Sequence, residues 1–484
     1  MLIAFTCWIN AKSTEAFGTF GFDIHHRYSD TVMQFLNVDG LPEKGTVDYY
    51  AAMAHRDQLF KGRRLASTAS TPILTFYGGN ETYHIMSLSH GTPNLEFLVA
   101  LDTGSNLFWL PCDCTNCARN FNFTDGSRFE LETYSPSNST TSKPPTRGCS
   151  TTLNVCSYQI INGNISSTGI LVDDILHLGT ESNPQDIVDV SITLGCAKNL
   201  SGSFLNTNGG INGVFGLGMD SISVPSILAD KGVVANSFSM CFGSGEIGRI
   251  EFGDKGIRNK KQLPLIFNNH SKQQVINPML FLRPTYNITV TKIGVGNNVT
   301  DLEFTANFDS SVAYTHITDP AYSFIVNNFN SRITDKPYQF PGETRLNYCY
   351  ALGANQERYI TPNLTFTMKG GSQFNVTAPT IEFIRKGGKA YCLAIVKSKS
   401  VNVIGQNFME GYRIVFDREE MVLGWKESNC YDSILSKTLP PNKGNSSRPS
   451  PPPPPPTNGV GRLTSGLVTV LVATSSHHFA ILSS

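Results

Sequence analysis

From residue 75 onward the chain alternates apolar and polar residues in short runs, each closed by a cluster of Gly, Asn, Pro or Ser. That pattern predicts many short β-strands joined by tight turns. TYHIMSLSHGTPNLEFLVALDTGS, residues 82–105, sets the pattern. Helical spacing is found upstream, from Val47 to Leu65, ending in Lys61, Arg63 and Arg64. That segment reads either as a solvated helix or as a prosegment whose cations lie against an acidic cleft until it is removed.

The strand pattern repeats one order of events in two halves. In the first, an apolar strand ends at Asp102 in LDTGS, and Val214-Phe215-Gly216 follows a Gly-rich turn. In the second, an apolar strand ends at Asp309 in FDSSV, and Val403-Ile404-Gly405 follows. The Asp-to-Gly separations are 114 and 96 residues, as expected of a diverged duplication. Two β lobes, each contributing one aspartate, are the simplest architecture. A chain of 484 residues also exceeds one ordinary core.

Composition narrows the class. Gly (42) and Pro (26) are frequent and only 16% of residues are charged, which suits a turn-rich β protein. Lys+Arg and Asp+Glu balance at 38 each, so no bulk charge or basic stripe recruits nucleic acid. Beyond Cys7 there are ten cysteines: 112, 114, 117, 149, 156, 196, 241, 349, 392 and 430. The even count suggests five disulfides made in an oxidising compartment. CDCTNC, residues 112–117, raises a zinc alternative, but no second pair or His cluster accompanies it. Eleven N-x-S/T sequons, at Asn80, Asn122, Asn138, Asn164, Asn199, Asn269, Asn287, Asn298, Asn363, Asn375 and Asn445, agree with a secreted glycoprotein.

The ends carry processing signals. Residues 1–19 hold an apolar, signal-like segment without a basic start, with a cleavage point near Ala16. Residues 20–70 are assigned to a prosegment, 71–262 and 263–434 to the two lobes, and 435–484 to a Pro-rich linker and apolar tail. Small residues, a spacer and a terminal apolar stretch favour a GPI-attachment signal over a plain disordered tail. Ser446, Ser447 and Asn458 are the attachment candidates.

The blocks LDTGSNLFWLPCDC, SSTGILVDDILHL, INGVFGLGMDSISVPSILADKGVVANSFSMCFG, TYNITVTKIGVG and VIGQNFMEGYRIVFDREEMVLGWKESNC occur in order across residues 76–432. Together they resemble the pepsin-type aspartic proteases, and among these most of all the plant GPI-anchored aspartyl proteases. The resemblance implies an all-β, bilobal fold with the active site in the cleft between two β-barrel-like lobes. It also implies a monomeric, secreted zymogen on the extracellular face of the plasma membrane or in the cell wall. Such a protein acts on polypeptide substrates and needs no metal or organic cofactor.

Two carboxylates held together can do this chemistry. Like charges at contact share a proton, so one carboxylate activates a water while the other polarises the scissile carbonyl. Asp102 and Asp309 are the expected pair. By resemblance, Thr103 and Ser310 brace the dyad across the two lobes, and Gly104 lets backbone approach the carboxylate. Ser105 gives its hydroxyl to an outer carboxylate oxygen, and Ser167, Thr168 and Gly169 belong to the flap over the cleft. Cys349–Cys392 is the disulfide implied in the second lobe.

Two departures stand out. Ser311 replaces a glycine and Val312 replaces a hydroxyl donor. Losing a hydrogen bond to a charged group is worth about 1.5–3 kcal/mol, or about ten- to a hundredfold in rate. The flap sequence CSYQIINGNISSTG also lies two residues short of the family pattern. Ile161 and Asn162 stand near the expected tyrosine, with Tyr158 too early. These departures raise a second reading, a protease fold turned to cell-surface binding or inhibition. His25, His26 and His316 show no catalytic partner pattern, and Trp109 and Trp425 are expected in the lobe cores.

Overall fold

The computed structural model describes residues 20–25, 44–51, 73–74 and most of 97–430. The signal-like leader, the Pro-rich tail and its attachment candidates, and the boundaries near residues 70 and 262 lie outside the described residues.

The architecture is all-β, with the same four-strand order in each half. In the first, Val99–Asp102 pairs in parallel with Val214–Gly216. That strand pairs antiparallel with Trp109–Asn116, which in turn runs parallel to Ile187–Ser201. In the second, Asn298–Phe308 pairs in parallel with Val403–Ile404. Val403 lies antiparallel to His316 of Thr315–Thr318, which runs parallel to Ile395–Ser398. The duplicated order therefore places each Asp at the C-terminal end of a central strand. Val99 to Asp102 are all buried, as a strand enclosed on both faces requires.

A junction sheet joins the halves. Ser237–Phe242 pairs antiparallel with Tyr412–Asp417, with Ser239 opposite Val415 at its centre. Ile247–Phe252 and Val422–Glu427 flank this pair, one on each side. One face is apolar: Phe238 stacks on Phe416 at 4.7 Å, and Tyr286 meets Phe416 edge-on at 4.7 Å. The Tyr286 hydroxyl donates to the Leu217 carbonyl at 2.7 Å, and burial pushes its pKa up to about 12. The other face carries charge. Arg249 contacts Asp23 at 3.0 Å and Glu251 at 3.2 Å, while Arg413 bridges Glu251 and Asp254. Buried ion pairs add little net stability, but a mispaired strand would strand a charge, so they specify register. Cys241–Cys430 closes the same junction covalently.

Residues 20–25 form a further strand of this sheet, antiparallel to Ile247–Phe252. Phe20, Phe22 and Ile24 are buried. The prosegment range of the sequence thus supplies a core strand, which alternation in FGFDIH allows but does not demand. The helical spacing from Val47 is seen as a turn over residues 47–51; 52–65 lie outside the described residues. This turn rests on the second half. Ile384 N–H donates to the Gly45 carbonyl at 2.7 Å, and the Tyr314 hydroxyl donates to the Tyr50 carbonyl at 3.2 Å. The Tyr50 ring meets Phe383 edge-on.

All ten cysteines beyond Cys7 are paired: Cys112–Cys196, Cys114–Cys117, Cys149–Cys156, Cys241–Cys430 and Cys349–Cys392. The C-x-x-C cysteines are therefore bonded to each other, with no thiolate left for zinc. Trp109 and Trp425 are buried.

Candidate active site

Each aspartate emerges where its strand turns. At Asp102, the Gly104 N–H donates to Oδ1 at 2.8 Å and the Ser105 hydroxyl to Oδ2 at 2.6 Å. The Leu217 N–H donates to the Asp102 carbonyl at 2.9 Å, fixing the turn from below. That contact needs Gly216, since a Cβ there would come within 2.5 Å of the Asn106 backbone. Gly405 does the same in the second half, where a Cβ would meet Tyr314 backbone at 2.7 Å.

The two turns interlock. The Ser310 N–H donates to Thr103 Oγ1 at 3.0 Å, and Thr103 Oγ1 donates to the Phe308 carbonyl at 3.2 Å. Reciprocally, the Thr103 N–H donates to Ser310 Oγ at 3.3 Å, and Ser310 Oγ donates to the Leu101 carbonyl at 3.2 Å. Each hydroxyl thus accepts from one backbone and donates to the next, across more than 200 residues of sequence. Asp102 and Asp309 are 0% and 1% exposed, so the brace interlocks two turns that each carry a carboxyl group buried from bulk water. Gln406 Nε2 donates to the Ser310 carbonyl at 2.5 Å and supports the second turn.

Position 311 behaves differently from the sequence expectation. Its N–H donates to Asp309 Oδ1 at 2.9 Å as a glycine's would, and its hydroxyl adds a second bond to the same oxygen at 2.5 Å. The serine fits and contributes a donor. Val312 offers none, and the contact to Asp309 Oδ2 comes from the Asn307 amide, at 3.5 Å. Neither contribution is legible from motif spacing alone; the alternation that puts 307 and 309 on one strand face was the available signal.

The segment expected to form the flap is a hairpin of Ser157–Asn162 and Ile165–Gly179, with Asn162 opposite Ile165 and Tyr158 opposite Gly169. Tyr158 therefore sits at the base. Its hydroxyl is 2.9 Å from Ser167 Oγ, and burial raises its pKa well above the ordinary tyrosine value. Its ring lies so close to Gly195 that a Cβ there would meet it at 2.7 Å and the Trp109 Cβ at 2.9 Å. The register shifts between Thr168, opposite Asn199, and Gly169, opposite Ala197, so Ile187–Ser201 carries the extra residue, Lys198. A Cβ on Gly169 would strike the Cys196 carbonyl at 1.9 Å.

Two interlocked turns at the junction of two similar β halves, each with a buried aspartate cradled by backbone and hydroxyl donors, are what an aspartic-protease type of site requires. The comparisons agree. A family model described as xylanase inhibitor N-terminal matches residues 84–254, and one described as xylanase inhibitor C-terminal matches 285–427. An Arabidopsis thaliana protein named aspartyl protease family protein 1 is 46% identical over 472 residues, covering 93% of this chain and 89% of its own. Aspartic proteinase-like protein 1 of the same plant is 32% identical, covering 88% and 84%. The chain belongs to the pepsin-like aspartic protease family. The crystal structure of basic 7S globulin from soybean shares the fold, with a TM-score of 0.56 at 16% identity, covering 87% of this chain and 97% of that one.

Proposed function

We propose that the protein is an aspartic endopeptidase in which Asp102 and Asp309 hold and activate the attacking water. The reciprocal Thr103–Ser310 brace carries this reading. It commits two buried hydroxyls and four cross-half hydrogen bonds to locking together the two turns that carry Asp102 and Asp309. One carboxylate takes a proton from water as it attacks the scissile carbon. The other, protonated, donates to the carbonyl oxygen, and the proton then passes to the leaving nitrogen. An extended peptide would lie in the cleft beneath the flap. Thr103, Gly104, Ser105 and Ser310 orient the carboxyls, and Ser167, Thr168 and Gly169 shape the flap strand.

The reading includes secretion, N-glycosylation, a GPI tether and a monomeric zymogen. Packing of residues 44–51 against Tyr314, five positions past Asp309, supports a prosegment that covers the second half's approach to the site. The test is cleavage of a generic protein substrate between about pH 3 and 6 by the purified protein, with a pepstatin-type inhibitor and Asp102→Asn alongside. Hydrolysis that is inhibited and disappears in the variant is the expected result. Equal rates in parent and variant would refute it.

Val312 and the absence of a tyrosine at 160–162 favour a second reading, a binding or inhibitory module on the same fold. Val312→Thr separates the two, because a slow enzyme accelerates and a binder does not. Ser311→Gly is the wrong partner for it, since it would remove a 2.5 Å bond to Asp309.

A further inference from the structure

The two carboxyl groups are served unequally. At Asp102 each oxygen has its own close donor: the Gly104 N–H on Oδ1 and the Ser105 hydroxyl on Oδ2. At Asp309 two donors, both from Ser311, converge on Oδ1. Among the described residues, Oδ2 has a single donor in reach, Asn307 Nδ2 at 3.5 Å.

Strand geometry explains the approach. Asn307 precedes Asp309 by two residues on an extended segment, so both side chains project from one face, while Phe308 between them turns into the core. The Asn307 backbone is held on both sides: it lies opposite Asn287 on one neighbour and Val403 on the other. Its N–H donates to the Asn402 carbonyl at 3.0 Å. The amide is thus short, anchored and aimed along the floor of the site. Beside a carboxylate its NH2 end must face the charge, because its oxygen would be repelled.

A second observation concerns the other end of the same amide. Asn307 Oδ1 is buried and has no hydrogen-bond partner among the described residues. An orphaned buried acceptor lowers stability, so an apolar side chain of equal size suits the fold better at this position. Residues kept against stability cluster where function needs them. A bond of 3.5 Å is long, but contacts to catalytic carboxylates tighten when substrate and charge are in place.

We propose that Asn307 is a positioning residue for Asp309, its side-chain amide donating to the outer carboxylate oxygen in the place that Ser105 fills at Asp102 and that Val312 leaves without a hydroxyl. The inference rests on the protease reading for its effect on rate, but the contact itself does not.

Three measurements on the full-length protein decide it. Asn307→Leu should lower kcat about tenfold with KM within about twofold, while its melting temperature stays equal or rises. A residue with a structural role alone would move stability downward and leave kcat per folded molecule intact. Adding Val312→Thr to that variant supplies the hydroxyl by another route and should bring kcat back to within about threefold of the parent. Rate loss without rescue, or kcat within about twofold of the parent in Asn307→Leu, would overturn the proposal. The third readout is independent of turnover. The Asn307 side-chain amide proton, assigned by its disappearance in Asn307→Leu, should lie downfield in the parent relative to Asp309→Asn. Coincident resonances would overturn the contact. A displaced resonance in a parent that hydrolyses nothing would keep the contact and reject the protease reading.

Discussion

Thr103→Val replaces a hydroxyl by a methyl of the same shape, at a position 1% exposed. The Thr103 hydroxyl serves two backbone groups of the opposite half: it accepts from the Ser310 N–H at 3.0 Å and donates to the Phe308 carbonyl at 3.2 Å. Removing it leaves that N–H buried without its acceptor and that carbonyl short of a donor. Each loss is worth about 1–3 kcal/mol, so the variant should be destabilised by about 2–5 kcal/mol. At about 1–2 °C per kcal/mol for a unit of this size, the melting temperature should fall by about 2–10 °C. Catalysis should suffer more, because a displacement of about 1 Å between the two carboxyls costs about a hundredfold. The brace also predicts coupling. Ser310→Ala in the Thr103→Val background should cost at least about 0.5 kcal/mol less than in the parent, since both act on one interlocked turn. Differential scanning fluorimetry and kcat/KM at acid pH read the three variants together. Thr103→Val melting within about a degree of the parent, with kcat/KM within about twofold, would refute the idea that the brace positions the pair.

Val312→Thr alone should raise kcat/KM by about three- to thirtyfold, less than a first hydrogen bond to a bare carboxylate would give, because Asn307 already supplies part of it; an unchanged rate in an active parent would contradict this. Burial raises the Glu410 carboxyl above its usual range, and Lys44 pulls it partly back. A raised folded-state value means stability present below the unfolded pKa is lost as pH rises through the folded one, so Glu410→Gln should flatten the decline in melting temperature between acid and neutral pH. Asn298 and Asn375 are exposed on the seven-stranded sheet of the second half and Asn363 is exposed just before its strand Leu364–Met368, and peptide mapping of the natively expressed protein before and after glycosidase should find glycans there. Unmodified asparagine at all three would count against secretion through the glycosylating pathway.

Much of the fold could be read directly from the chain. The apolar runs ending in Asp102 and Asp309 and the V-x-G strands after them repeat in order, and hydrophobic burial forces that order into paired sheets. Thr103 and Ser310 were legible because a motif fixes them. Asn307 was not, since an asparagine in a strand reads as a polar outward position, and only the fold shows that its amide reaches the Asp309 carboxyl. Ser311 looked like damage because sequence gives the glycine's role but not the room around it. The strand at residues 20–25 was hidden for a different reason: six alternating residues carry no mark of the partner strand more than 200 residues away. Spacing along the chain reads Tyr158 as too early, while its ring is placed by Gly195, which no spacing connects to it.

Cys430 closes the described C-terminal region, and its sulfur is bonded to Cys241 in the first half. On a molecule held to a surface by its C-terminus, that bond sets the path of mechanical load. A pull on the tail enters at Cys430 and crosses at once to the strand Ser237–Phe242, without first passing through the hairpin Tyr412–Glu427. On such a molecule both halves would be drawn together by the same bond, and the load would reach the junction sheet through the ladder of Ser237–Phe242.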